Sequence, residues 1–69
     1  MEIKYNKLAG IRATLGMNQT ELANKIGMTK QTYCRKENGQ AQFKDEEKIA
    51  IKEIFSEYYK GITIDDIFF

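Results

Sequence analysis

The sequence predicts an all-α fold, a compact bundle of about five short helices in a single domain spanning residues 1–69. Three observations carry the prediction. The chain has no proline, glycines at 16, 27, 39 and 61 divide it into short stretches, and apolar residues within those stretches recur at helical spacing. No long segment alternates apolar and polar residues as a half-buried strand does, and no repeat, linker or low-complexity tract interrupts the 69 residues.

The elements follow in order. Leu8, Ile11 and Leu15 fall at i, i+3 and i+7, which places a first helix near residues 5–15 with Gly16 past its end. Gly10 weakens that helix relative to alanine and is expected to mark close contact with a neighbouring element. Asn18 with Glu21 three residues on is a capping-box variant, starting a second helix that turns Leu22, Ala23 and Ile26 inward and stops at Gly27. Thr29 caps a third helix, Lys30–Glu37, ended by Asn38 and Gly39. Residues 40–44 are a loop carrying Phe43.

Asp45, Glu46 and Glu47 then put three carboxylates in the first turn of a fourth helix, where the macrodipole favours them. Its expected stripe is Ile51, Ile54, Phe55 and Tyr58, extended by Ile49 and Ala50, and Gly61 ends it. Thr63 and Asp66 cap a last short turn whose Ile64, Ile67, Phe68 and Phe69 are almost wholly apolar. The β-branched and aromatic content of residues 62–69 also suits a strand, an alternative ranked below the capped turn.

Composition excludes several function classes. There is no histidine and only one cysteine, Cys34, which removes disulfide frameworks, zinc fingers and histidine-dependent hydrolysis. The acidic groups Asp45–Glu47 and Asp65–Asp66 lie at helix starts without metal-loop spacing, so no enzyme activity, cofactor or metal is expected. The opening residues lack the apolar core of a signal peptide, and no run approaches a membrane span, so a cytoplasmic protein without a membrane partner is expected.

The net charge of +1 conceals a segregation. Residues 1–44 carry a net +5 and residues 45–69 a net −4. One end of the molecule is suited to a polyanion that the other end avoids.

The positive share coincides with residues 19–38, QTELANKIGMTKQTYCRKEN. Two short helices cross at a tight turn when the crossing residue is small and the turn residue accepts φ > 0, and Ala23 and Gly27 meet those needs. This is helix-turn-helix spacing, in which the second helix enters a DNA major groove.

The run NQTELANKIGMTKQTYCRKENG closely resembles the Cro/C1-type helix-turn-helix family of phage and bacterial transcription regulators. The TYCRKENG and TIDDIFF pieces are similar to small Cro-like proteins of phages from Gram-positive hosts. The resemblance implies a lambda-repressor-like DNA-binding domain: a sequence-specific regulator, of repressor type, that lays its third helix in the major groove of a double-stranded operator. It implies base-edge contacts from Lys30, Gln31 and Arg35, with Thr29 touching DNA as well as capping. Their chemistry suits the task, since Arg pairs with guanine O6 and N7, Gln with adenine N6 and N7, and Lys with guanine or phosphate. The bland alternative is a solvated helix face.

It further implies phosphate contacts from Gln19 and Asn38, while Lys7, Lys25, Lys36 and Lys44 are candidate non-specific phosphate partners. An Arg12–Glu37 ion pair is implied between the first helix and the end of the third. Lys36 departs from the family, which places an apolar residue there. Its stem is expected to lie on the core with the ammonium turned to phosphate, Tyr33 and Phe43 supplying the missing volume. Tyr59, Phe68 and Phe69 are a candidate subunit or partner interface, the alternative being simple core. Specific sites usually need two copies, so a homodimer, at least on DNA, is expected. Two other readings keep the fold and drop the operator: a modulator or antirepressor binding another phage regulator, and an antitoxin.

Overall fold

A computed structural model describes residues 5–69, and all secondary structure among them is helical: α1 (Asn6–Thr14), α2 (Gln19–Lys25), α3 (Lys30–Glu37), α4 (Asp45–Ser56) and α5 (Ile64–Phe68). Residues 1–4 lie outside this description, and with them the leader-peptide reading and the charges of Glu2 and Lys4. The strand alternative for residues 62–69 is replaced by α5.

Local chemistry explains where the helices begin. The Asn18 side chain accepts the Glu21 N–H at 2.8 Å while the Glu21 carboxylate accepts the Asn18 N–H at 3.0 Å, closing a reciprocal capping box. Thr63 and Asp66 repeat the arrangement at α5, at 3.1 and 3.0 Å. Thr29 accepts the Thr32 N–H at 3.2 Å and starts α3. Each interaction satisfies backbone donors that have no partner inside the helix.

Gly27 at φ +74° turns the chain between α2 and α3, and the Met28 N–H donates to the Ala23 carbonyl at 2.9 Å, folding the turn back onto α2. An L-residue at that φ costs about 1–2 kcal/mol. Ala23 is fully buried where the two helices cross. α1 packs on α5 and α3, and α4 on α5, so the first and last of the described helices meet.

The core holds Leu8, Met17, Leu22, Ile51, Phe55 and Ile67 together with a run of edge-to-face aromatic rings. Tyr33 meets Phe43 at 6.1 Å between centroids, Phe43 meets Phe68 at 5.3 Å, and Tyr5 touches Phe43 and Phe68 at 5.4 and 5.7 Å. Such pairs add about 0.5–1.5 kcal/mol each beyond area burial.

Three expectations change. α4 ends at Ser56, well before Gly61: the Glu57 and Tyr58 N–H groups bond to carbonyls only three residues back, and the tightened end swings Tyr58, 57% exposed, out of the expected stripe. Ile49 is also largely exposed. Gly10 meets no neighbour, since a Cβ there would find nothing within 4 Å. Gly10→Ala should therefore raise stability by about 0.5–1 kcal/mol through helix propensity and a less flexible unfolded chain, read as a higher urea midpoint at unchanged slope.

Candidate nucleic-acid interface

α3 divides its residues by face. At about 100° per residue, Tyr33, Lys36 and Glu37 fall together on one side and are buried, Gln31, Thr32 and Arg35 fall on the other and are exposed, and Lys30 is exposed in the first turn. Lys30, Gln31, Thr32, Cys34 and Arg35 line one concavity. Thr29 is exposed at its N-terminal edge and Asn38 at its C-terminal edge, so all four expected base-contact residues, with Asn38, open to solvent in one region. Lys25 and Lys44, at the end of α2 and the start of α4, are exposed as well.

Beneath this face a polar network fixes α3 to α1 and α2. Arg12 clasps Glu37 through two parallel bonds, Nε to Oε2 at 3.0 Å and Nη2 to Oε1 at 3.1 Å, and its third arm donates to the Met17 carbonyl at 2.9 Å. The forked geometry matches a planar guanidinium to a carboxylate. The Tyr33 hydroxyl donates to Glu37 Oε2, and Gln19 Nε2 donates to Oε1 at 3.0 Å. Glu37 thus accepts from three side chains on three helices. The expected Arg12–Glu37 pair is present, with two further donors that the sequence did not indicate.

Gln19 is placed differently from its expected role. Both ends of its amide are engaged inside the molecule, the nitrogen on Glu37 and the oxygen accepting the Cys34 thiol at 2.9 Å. The side chain braces α2 against α3 and is not turned outward to a phosphate. Lys36 departs further. It is 8% exposed, and its ammonium lies 2.7 and 2.8 Å from the two Glu47 oxygens at the start of α4. The stem is on the core as expected, but the charge goes to a carboxylate within the protein. Glu47 also accepts the Lys44 N–H at 2.8 Å. A pair separated by eleven residues and a loop leaves no signal in local spacing.

Burial and hydrogen bonding set the charge states. Burial pushes the Glu37 carboxyl up, but bonds from Arg12, Tyr33 and Gln19 outweigh it and hold the group below the usual carboxylate range. Glu47 is likewise lowered, Lys36 and the Lys44 N–H overcoming burial. Burial raises the Tyr33 phenol, with Glu37 adding to the effect, so it stays a donor. Carboxylates more acidic in the folded than in the unfolded chain stabilise the fold above the ordinary glutamate pKa near 4.3, and that stabilisation is lost as pH falls through the lower folded values. With no histidine in the chain, urea midpoints should be flat from about pH 8 to pH 5 and fall steeply below about pH 4.

At the opposite end, Phe68 is 6% exposed and belongs to the aromatic core, which removes it from the expected interface. Tyr59 and Phe69 remain exposed, Phe69 at 74%, with the Lys48 ammonium 5.5 Å from its ring centroid. No helix among the described residues is long and apolar enough to cross a membrane. Comparison of the chain with protein-family models, curated proteins and solved structures yields no match.

Proposed function

We propose that the chain is a sequence-specific DNA-binding regulator, a repressor of Cro/C1 helix-turn-helix type, that lays α3 in the major groove of a double-stranded operator. One observation carries the reading. Lys30, Gln31 and Arg35 are exposed on α3 and line one concavity, while Tyr33 and Glu37 of the same helix are locked in the Glu37 network. A groove reader needs such a rigid support, because base contacts are made by side chains whose helix must not shift.

The flanks support it. Lys25, Lys44 and Asn38 are exposed and suit phosphate oxygens, whereas Lys36 has its charge occupied by Glu47. The carboxylates of α4 and α5 belong to the part of the chain that carries the negative excess. A single α3 makes few base contacts, so two copies on half-sites roughly 34 Å apart are the expected arrangement.

Protection footprinting on the DNA flanking the chain's own gene tests this. A protected stretch with two-fold symmetry and one-turn spacing is expected, weakening steeply as salt rises. No protection at low salt, with the protein folded, rejects the reading. The exposed Tyr58, Tyr59 and Phe69 favour a second reading, in which the chain binds a partner regulator through its acidic end. Co-purification with a repressor in place of DNA protection is its mark.

A further inference from the structure

Thr32 lies on the exposed face of α3 and lines the same concavity as Lys30, Gln31, Cys34 and Arg35, yet the roles assigned above leave it without one. Its surroundings restrict its placement. The Thr29 hydroxyl oxygen accepts the Thr32 N–H, and its proton is donated to Thr32 Oγ1 at 3.0 Å. Either hydroxyl of this pair can donate to the other, and when Thr29 donates, the Thr32 hydroxyl proton points away from it. Thr32 also stands one turn before Arg35, i to i+3, so the two are neighbours on the helix surface.

A β-branched threonine in a helix has few χ1 choices, and the Thr29 bond selects among them. The side chain is therefore pre-ordered to present one donor and one methyl group. Among base edges in the major groove, thymine alone offers an acceptor, O4, beside a methyl group.

Resting on the DNA-reading function proposed above, we infer that Thr32 is a specificity-determining residue that reads a thymine next to the base pair addressed by Arg35. The hydroxyl donates to thymine O4 and the methyl packs on the C5-methyl group. Thr29 acts through it as a positioning residue, holding the hydroxyl in this orientation.

The test uses the full chain and a duplex selected by the wild-type protein from a random pool, with each thymine replaced in turn by deoxyuridine, which lacks only the methyl group. At one thymine, replacement should weaken wild-type binding about fourfold, the worth of one buried methyl group, and leave Thr32→Ser unaffected. Thr32→Val keeps the branched shape and loses the donor. It should bind the parent duplex several-fold more weakly and lose its preference for A·T over G·C at that position. Thermal midpoints of both variants close to wild type show that folding is intact.

If both variants bind with wild-type affinity and base preference at every position, Thr32 reads nothing and this inference fails while the DNA-reading function stands. If deoxyuridine is tolerated everywhere by the wild type, the methyl contact is likewise refuted. Recovery of no sequence from the pool by the wild type overturns the DNA-reading function itself.

Discussion

Arg12→Ala should cost about 3 kcal/mol and lower the thermal midpoint by about 10–20 °C. The size follows from what the substitution leaves behind. Glu37 keeps the Tyr33 and Gln19 bonds but loses the one cation that, among the described residues, pairs with its buried carboxylate. Removing one partner of a fully buried pair costs about 3–5 kcal/mol and losing a charged hydrogen bond about 1.5–3, and the partly buried Arg12 lies where these ranges meet. A 69-residue domain has roughly 3–10 kcal/mol of stability in total, so the variant sits near the edge of folding. Without Arg12, the Glu37 carboxyl loses the strongest of the bonds that hold its pKa down, so its pKa rises, and the loss of stability below pH 4 should shrink. Equal acid sensitivity in wild type and variant would show that the pair is not what holds Glu37 ionised.

The second large effect concerns binding. On the proposed function, Arg35→Ala should weaken binding to the footprinted site by about 1–3 kcal/mol, roughly 5- to 150-fold, and relax specificity at a single base pair. Gln31→Ala should do the same at a different position. Lys25→Ala and Lys44→Ala should instead weaken binding about equally on all sequences and each reduce the salt slope by about one, as expected of phosphate contacts. Titration of the four variants against the site and a scrambled duplex at two salt concentrations separates the classes. Uniform weakening by Arg35→Ala across both duplexes would remove it from base reading. Because Arg35 is exposed and bonds to none of the residues of the Glu37 network, its thermal midpoint should match the wild type.

What could be read in advance divides along physical lines. Asn18, Thr29 and Thr63 announce their helices because a cap satisfies donors within three residues of itself, and α3 runs over Lys30–Glu37 as its capping residue and closing glycine indicate. The end of α4 was less legible, because Gly61 closes the turn that follows and not the helix itself. Long-range pairings were least so. Lys36 and Glu47, or Gln19 and Cys34, are joined by tertiary geometry alone, and no periodicity reports which donor eleven or fifteen residues away will answer. The Arg12–Glu37 pair was reachable only through resemblance to a family. The exposed polar face of α3 was legible as a face, since charge and helical period suffice for that.

Glu37 also constrains how this chain can change by single substitutions. Arg12, Gln19 and Tyr33 all donate to one carboxylate, so replacing Glu37 strands three donors at once, while replacing any donor alters what the other two experience. Single-step paths to a different junction of α1, α2 and α3 therefore pass through weakened intermediates, whereas exposed Lys30 and Gln31 can be exchanged without disturbing that junction. The architecture separates a constrained junction of contacts from an exposed surface that tolerates exchange, so that, on the proposed function, new binding preferences can arise on α3 without a new fold having to be found.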